Sequence, residues 1–363
     1  MITLKQRGRA GLQFLGSLQQ FSSSELRDQA EADYAAQPEA PALAAEWQAG
    51  DVRPHVWRER LERARDVVER SKAYRYNRFY QRFVAEQNFV RAIPAVEQRR
   101  KEWEALVEAK KPKDESRLKL DPQLPIPRWY EGVEWHLEPG GWDGYDLAMP
   151  MFMAGIGPHV FALGGYAAVD VNCDIRSQRK NVLSQFRRRD FRRIYEAGCG
   201  GATTLAVARQ LFPQAELVGG DLSPALLKNG HFVSEMMNLG ITFRQEDATQ
   251  VAEADGSVDA VISYAVHHEM PPAVSAAMIR EMFRILAPGG EMVISDPPPF
   301  RAVSPMQAVI LDWDTDNRAE PFFSAAAMAN LAQMMRDAGF VDVEEYALEK
   351  RGYPWVTRGR KPA

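Results

Sequence analysis

Two adjacent histidines and a glutamate have the residue types that acid–base chemistry needs. His267, His268 and Glu269 follow shortly after the apolar run 258–264. A histidine titrates near neutral pH and can take a proton from a hydroxyl group. We expect His268 to act as a general base, with Glu269 orienting it or binding a polar group of a substrate, and His267 to contact the substrate. The alternative is that the two histidines cap a helix and pack beneath the site.

A glycine-rich turn is the second place where the sequence suggests chemistry. Gly198 and Gly200 follow the apolar run 194–197, and a helical pattern begins directly behind them at about 205. The glycines allow a sharp turn and a close approach to a ligand, and the helix N-terminus points free N–H groups at it. This order of strand, turn and helix is typical of a nucleotide-type pocket.

A carboxylate follows the next apolar run at a spacing that suits an adenosine ligand. Asp221 ends the run 216–220 and lies 23 residues beyond Gly198. An acid at this position can accept hydrogen bonds from both ribose hydroxyls. Up to this point, a nicotinamide cofactor and S-adenosylmethionine fit the sequence equally well.

Two further features separate these cofactors. A dinucleotide-binding turn has a third glycine where this chain has Thr203, because strand and helix pack closely around a pyrophosphate. After the apolar run 241–244, Asp247-Ala248 places a carboxylate where the exocyclic amine of an adenine could donate to it. Thr203 and Asp247 therefore favour S-adenosylmethionine.

The order and spacing of these motifs resemble the class I S-adenosylmethionine-dependent methyltransferases. The resemblance covers about 185–363, and Ala202 replaces the third glycine of the family's usual Gly-x-Gly-x-Gly. His268-Glu269, together with an insertion at 312–323 before the last helix, resembles a group of these enzymes with a long N-terminal extension. The matching motifs are Glu196-Ala-Gly198-Cys-Gly200-Gly-Ala202, Asp221, Asp247-Ala248, Asp259-Ala-Val-Ile-Ser-Tyr264, Leu286-Ala-Pro288-Gly289-Gly290 and Ala338-Gly339-Phe340.

The resemblance implies a role for each motif. The amino-acid end of the cofactor would lie against Glu196 and the backbone of 198–202, its ribose against Asp221 and its adenine against Asp247. Tyr264 and its neighbours would face the methyl donor, and no metal ligand is expected. The expected cofactor-binding residues are Glu196, Gly198, Cys199, Gly200, Asp221, Leu222, Asp247, Ala248 and Tyr264.

The elements that position these residues follow from the alternation of apolar runs with helix-length patterns. This alternation predicts an α/β fold, a Rossmann-like doubly wound sheet. Runs near 341–348 and 353–358 predict a terminal antiparallel hairpin. Asp296-Pro-Pro-Pro-Phe300 is interpreted as a stiff loop. The five runs that predict parallel strands are 194–197, 216–220, 241–244, 258–264 and 290–295.

Residues 1–112 predict an N-terminal mainly helical region. Ser22-Ser-Ser-Glu25 has the pattern of a capping box, which predicts that a helix begins there. Pro94 predicts the end of a long helical pattern that carries several aromatic residues. These helices are expected to form a core or a homodimer face.

Residues 113–184 form an aromatic and glycine-rich segment, and 185–363 form the predicted methyltransferase domain. The segment is expected to be a lid or a pocket wall, or else an irregular loop held to the core by its tryptophans. Trp135 and Tyr145 in this segment, and Trp313 in an insertion before the last helix, are expected to contact the substrate. For the insertion, a structural helix cap is the alternative.

Composition sets the broad class of the protein. The 363 residues are 45% hydrophobic and carry a net charge of −4, which predicts no nucleic-acid partner and no membrane association. Cys173 and Cys199 have no metal-binding spacing and fit a reducing cytoplasm, and the N-terminus has no signal-peptide pattern. The uncharged stretch 147–169 is interrupted by prolines and glycines, so a membrane-spanning helix is not expected there.

Taken together, the sequence predicts a cytoplasmic enzyme that methylates a small molecule with S-adenosylmethionine. Oxygen is the preferred acceptor because a histidine base is available, ahead of nitrogen or carbon. A non-catalytic scaffold that binds an adenosine cofactor is one alternative, and an NAD-dependent oxidoreductase is the other.

Overall fold

An eight-stranded mixed sheet is the largest regular element of the computed structural model, which describes residues 2–48, 53–112, 114–164 and 174–363. The strands are β1 (Leu118–Lys119), β2 (Arg193–Ala197), β3 (Glu216–Asp221), β4 (Ile241–Gln245), β5 (Val258–Tyr264), β6 (Leu286–Asp296), β7 (Val341–Ala347) and β8 (Trp355–Arg360).

The strand order is β1-β4-β3-β2-β5-β6-β8-β7. The first six strands in this order pair in parallel, whereas β8 pairs antiparallel with both β6 and β7. The predicted Rossmann-like sheet with a terminal antiparallel hairpin is therefore confirmed.

Fifteen α-helices are present in the described parts of the chain, together with short 3₁₀ and π segments. They are α1 (Gln6–Phe21), α2 (Arg27–Ala35), α3 (Ala40–Trp47), α4 (Pro54–Val68), α5 (Lys72–Glu97), α6 (Arg100–Ala109), α7 (Ala148–Met151), α8 (Ala162–Gly164), α9 (Ile175–Leu183), α10 (Thr203–Leu211), α11 (Pro224–Met236), α12 (Pro272–Ile285), α13 (Pro305–Asn317), α14 (Phe323–Met328) and α15 (Leu331–Asp337).

The chain divides into two compact units. The helical unit comprises residues 1–107, 134–174 and 298–328, and the sheet unit comprises residues 108–133, 175–297 and 329–363. The predicted functional bounds 1–112, 113–184 and 185–363 remain a prediction.

The core of the sheet unit lies on both faces of its central strands. All seven residues of β5 are buried, as expected for a central parallel strand. On one face, Tyr195, Val261 and Ile294 pack with methionines and isoleucines of α12, and this packing holds the carboxyl ends of the strands in place.

The helical unit has its own core, and two predictions about it are wrong. Ser22 does not cap a helix: it is buried in a π segment between α1 and α2, and its hydroxyl donates to Asn77 O at 3.1 Å. Burial against α5 thus outweighs the capping pattern. Pro94 does not end α5, which continues to Glu97. Pro94 removes only the hydrogen bond to Val90 O, and Val90 is exposed.

The uncharged stretch 147–169 contains α7, a π segment and α8, and its residues 165–169 lie outside the described residues, as does Cys173. Across the described residues, no helix has the length and hydropathy of a membrane span.

The buried face of β6 gives a test of the sheet core. Ile294→Ala should lower the free energy of unfolding by about 2–5 kcal/mol, because it leaves a cavity in a fully buried position. Ile126→Ala is the matched control at a site that is 41% exposed, and it should cost less than about 0.5 kcal/mol. Urea denaturation measures both, and equal losses would contradict the packing.

Candidate functional site

Parallel pairing brings the carboxyl ends of β2, β3, β5 and β6 to one edge of the sheet. Open α/β sheets bind ligands outside this edge. The glycine turn after β2 is fixed there because the backbone N–H groups of Gly198 and Cys199 donate to Gly220 O at 2.9 and 3.0 Å. The turn therefore has a defined shape without a ligand.

The turn needs backbone conformations that glycine adopts readily. Gly200 has φ +48°, and a Cβ placed on it would meet no atom within 4 Å, so its backbone faces open space. Ala202 also has a positive φ of 63°. This left-handed conformation explains why the resembled family places glycine at that position.

Glu196 lies at the end of β2 and is a buried carboxylate, only 1% exposed. Its Oε2 atom has no hydrogen-bond partner among the residues that the structure describes. Burial raises the pKa of Glu196 to about 8, against the opposing effects of the Thr204 hydrogen bond and the Arg179 charge. An unpartnered buried carboxylate oxygen suits a cationic ligand group.

Asp221 connects the end of β3 to the glycine turn. Its Oδ2 accepts from Gly200 N at 2.8 Å, and its Oδ1 accepts from Ser223 N at 2.9 Å. The carbonyl of Leu222 accepts from Gln245 Nε2 at 3.2 Å. The carboxylate is thus held in one orientation at the position predicted for the ribose.

The segment after β4 is ordered by a local turn. Asp247 Oδ1 accepts from Thr249 N and Thr249 Oγ1 at 2.8 and 2.7 Å. Ala248 packs against the sheet core. Both residues thus lie on a defined turn beyond the strand.

Cys199 and Tyr264 are largely buried. Burial raises the pKa of the Cys199 thiol well above its ordinary value, so the thiol is neutral. The Tyr264 hydroxyl accepts from Tyr353 at 3.0 Å and donates to Gln178 Oε1 at 3.4 Å. These bonds direct the Tyr264 hydroxyl toward α9 and the start of β8.

His268 lies in a 3₁₀ turn after β5, and its imidazole contacts a carboxylate from the neighbouring strand. His268 Nδ1 is 2.5 Å from Asp296 Oδ1, and both side chains are buried. An ionised carboxylate accepts, so Nδ1 carries the proton in this pair and Nε2 carries the lone pair. This tautomer suits a general base.

Asp296 contacts His268 Nδ1, which the sequence analysis did not anticipate, and the predicted roles of Glu269 stay predictions. The Oε1 atom of Glu269 lies 3.9 Å from His268 Nε2, beyond hydrogen-bond distance. Of the stretch 296–300, interpreted as a stiff loop, Asp296 is the last residue of β6 beside β5, and 297–299 form a loop. The sequence could have predicted this contact, because acids and bases at the ends of neighbouring parallel strands meet at one edge of the sheet.

His267 points into the interior of the sheet unit. It is 1% exposed, and burial lowers its pKa to about 4, so the ring is neutral at physiological pH. Neither ring nitrogen has a hydrogen-bond partner in the described part of the chain. The predicted substrate contact of His267 stays a prediction.

The three predicted aromatic substrate contacts all belong to the helical unit. Trp135 is fully buried, and its ring lies 6.4 Å from that of Phe322. The Tyr145 hydroxyl donates to Glu97 Oε1 at 2.7 Å. The ring of Trp313 lies 4.8 Å from the buried guanidinium of Arg78. Each aromatic side chain thus has a structural contact of its own.

Comparison with known proteins finds a family similarity in the part of the chain that contains the glycine turn, Asp221 and Asp247. Residues 194–290 match a family model described as a methyltransferase domain. Demethylmenaquinone methyltransferase of Thermus thermophilus is 29% identical over 35% of this chain, which spans only 56% of that relative. The Deinococcus radiodurans enzyme of the same name is 25% identical over 53% of this chain and 85% of its own length.

A third relative is named for its reaction type. The ubiquinone/menaquinone biosynthesis C-methyltransferase of Desulfotalea psychrophila is 26% identical, over 45% of this chain and 72% of its own length. The matches to these three relatives cover 35%, 53% and 45% of this chain.

The residues at the strand ends fit S-adenosylmethionine. Its α-ammonium group matches the unpartnered oxygen of the buried Glu196, and the open face of Gly200 admits a ligand close to the backbone. Asp221 and Asp247 present carboxylates for hydroxyl and amine donors at successive strand ends. S-adenosylmethionine is therefore the cofactor of this site.

Glu196 gives the ligand-free protein a specific pH dependence. Its folded pKa of about 8 lies above its ordinary value of 4.5, so folding favours the protonated form. This contribution to stability is complete below about pH 4.5 and is lost as pH rises toward 8. The free energy of unfolding of wild type minus that of Glu196→Gln should fall by up to ~1.4 kcal/mol per pH unit in this window.

Urea denaturation at several pH values measures this difference. Glu349→Gln, at an exposed position, should reproduce the wild-type pH dependence. Parallel pH curves for wild type and Glu196→Gln would show that the buried carboxylate does not titrate in this range.

Proposed function

We propose that this chain, a class I S-adenosylmethionine-dependent methyltransferase, methylates a hydroxyl oxygen of a small molecule. The observation that carries this proposal is the 2.5 Å contact between His268 Nδ1 and Asp296 Oδ1. An imidazole held in this tautomer can take the proton of an acceptor hydroxyl.

The cofactor supplies an electrophilic methyl group on a sulfonium. The protein then has two tasks, which are to hold the acceptor in line and to increase its nucleophilicity. His268 Nε2 takes the hydroxyl proton as the oxygen attacks. Asp296 stabilises the resulting imidazolium through its charge, and its buried position strengthens this effect.

Carbon methylation of a hydroxylated ring is the second candidate. It is favoured by the relatives, whose names describe methylation of demethylmenaquinone and a C-methyltransferase. Removing a proton from a ring hydroxyl also activates the neighbouring ring carbon. The same His268–Asp296 pair therefore serves both reactions, and the position of the new methyl group distinguishes them.

Two rival functions make different predictions. A non-catalytic scaffold would bind the cofactor but form no S-adenosylhomocysteine with any acceptor. An oxidoreductase would bind NAD(H) in place of S-adenosylmethionine. Calorimetry with S-adenosylhomocysteine and with NADH on the purified chain separates the oxidoreductase from the proposed methyltransferase, and an assay of S-adenosylhomocysteine formation separates the scaffold.

The base is tested by substitutions that keep the cofactor site intact. His268→Gln and Asp296→Asn should each lower kcat by about 10²–10⁴-fold, because the first removes the base and the second its charged partner. The assay follows S-adenosylhomocysteine formation with a panel of phenols, hydroxyquinones and demethylmenaquinone. Mass spectrometry and NMR of the product locate the methyl group.

His55→Gln is the matched control, since His55 is an exposed histidine on α4. It should leave kcat unchanged. All three variants should bind S-adenosylhomocysteine within about threefold of wild type, and a full kcat in His268→Gln would exclude a base at this position.

The remaining features of the proposal concern the surroundings of the enzyme. We infer a cytoplasmic protein with neither nucleic-acid nor membrane partners, which its net charge of −4 supports. Trp135, Tyr145 and Trp313 remain the proposed acceptor contacts, within the functional segments 1–112, 113–184 and 185–363.

A homodimer through the N-terminal helices is also proposed. The helix α5 exposes Tyr76, Phe79 and Val90 by 58%, 61% and 61%. Large apolar side chains exposed along one helix are typical of an association surface. A second copy of the chain with the same helix is the proposed partner.

Light scattering after size-exclusion chromatography tests the dimer. The double substitution Tyr76→Asp with Phe79→Asp should give a monomer, because it places charges in an apolar interface. Met236→Asp changes a residue of α11 that is 53% exposed, and it should leave the dimer intact. A monomeric wild type at all concentrations would contradict the proposal.

A further inference from the structure

Arg179 of α9 lies outside the residues that match the methyltransferase family model, yet it contacts the cofactor-binding elements. Its Nε donates to Thr204 Oγ1 at 3.2 Å, in the first turn of α10. Its guanidinium lies 4.3 Å from the ring of Tyr264 at the end of β5. Arg179 Nη2 makes no hydrogen bond within the described ranges.

Arg179 and Glu196 are neighbouring groups that do not form an ion pair with each other. The guanidinium is close enough to lower the pKa of Glu196, and both side chains hydrogen-bond to Thr204. No ion pair within 4.0 Å joins them in the described structure. The carboxyl of Glu196 is buried with one unpartnered oxygen, and the half-buried guanidinium of Arg179 beside it keeps a donor for a ligand.

A zwitterion is the ligand that completes both groups at once. An α-amino acid carries an ammonium for Glu196 and a carboxylate for Arg179, and a guanidinium binds a carboxylate with two parallel hydrogen bonds. The amino-acid end of S-adenosylmethionine is such a zwitterion. A decarboxylated analogue would satisfy Glu196 and leave Arg179 without its partner.

We propose that Arg179 binds the α-carboxylate of the cofactor and makes the site selective for S-adenosyl amino acids over their decarboxylated forms. The proposal rests on S-adenosylmethionine as the methyl donor and does not depend on the acceptor.

Tyr264 has a different role in this arrangement from the one that its position suggests. Its hydroxyl is bonded to Tyr353 and Gln178, and its ring supports the guanidinium from one face. A cation over an aromatic ring is held in a defined plane. Tyr264 is thus a positioning residue, which acts on the cofactor through Arg179.

The test compares two ligands by calorimetry on the full chain. S-adenosylhomocysteine has both charges, and S-adenosyl-3-thiopropylamine lacks only the carboxylate. Wild type should bind the first at least about tenfold more tightly. Arg179→Gln should weaken S-adenosylhomocysteine by about tenfold or more and change the decarboxylated ligand by less than about threefold, so that the selectivity disappears.

Two further variants separate binding from folding. Lys180→Gln removes the same charge from the next, exposed position of α9 and should keep the wild-type selectivity. Arg179→Lys should keep part of it, because lysine retains the charge without the two-pronged geometry. The unchanged affinity of the decarboxylated ligand reports that each variant is folded.

Equal weakening of both ligands by Arg179→Gln would overturn the proposal, since it would show that Arg179 only fastens α9 to Thr204. Unchanged binding of S-adenosylhomocysteine would overturn it as well. A wild type that binds neither ligand would instead refute the methyl-donor assignment.

Discussion

Parallel pairing of β2, β3, β5 and β6 is the constraint on which the site depends. Parallel strands end at the same edge, so residues separated by up to a hundred positions in sequence meet there. Glu196, Asp221, His268 and Asp296 all lie at or just after such ends. The apolar core beneath them fixes these ends, so the carboxylates and the imidazole are held in place before any ligand arrives.

The site contains two pairs of neighbouring polar side chains, and only one pair is bonded to each other. His268 and Asp296 bond to each other, which sets the tautomer and prepares the imidazole for one proton. Glu196 and Arg179 do not bond to each other and keep their capacity for a ligand. The first pair serves the proposed acceptor chemistry, and the second serves the cofactor.

The sequence predicted β2 to β6 well, because each of these strands contains an apolar run, whereas the two-residue strand β1 was not predicted. The sequence was less informative about side-chain contacts between residues that are far apart in the chain. The contact of His268 with Asp296 was missed, since adjacency in the chain does not reveal that Asp296 ends the neighbouring strand. Ser22 was read as a helix cap because local pattern does not show burial against Asn77. Arg179 precedes every family motif, so only its contacts with Thr204 and Tyr264 reveal it.

A crystal structure with S-adenosylhomocysteine tests the central claim most directly. It should show the ribose at Asp221, the ammonium within hydrogen-bond distance of Glu196 Oε2, and His268 Nδ1 still bonded to Asp296. A ligand bound away from the carboxyl ends of β2 and β3, or an ammonium directed into solvent with Glu196 unpartnered, would contradict the account.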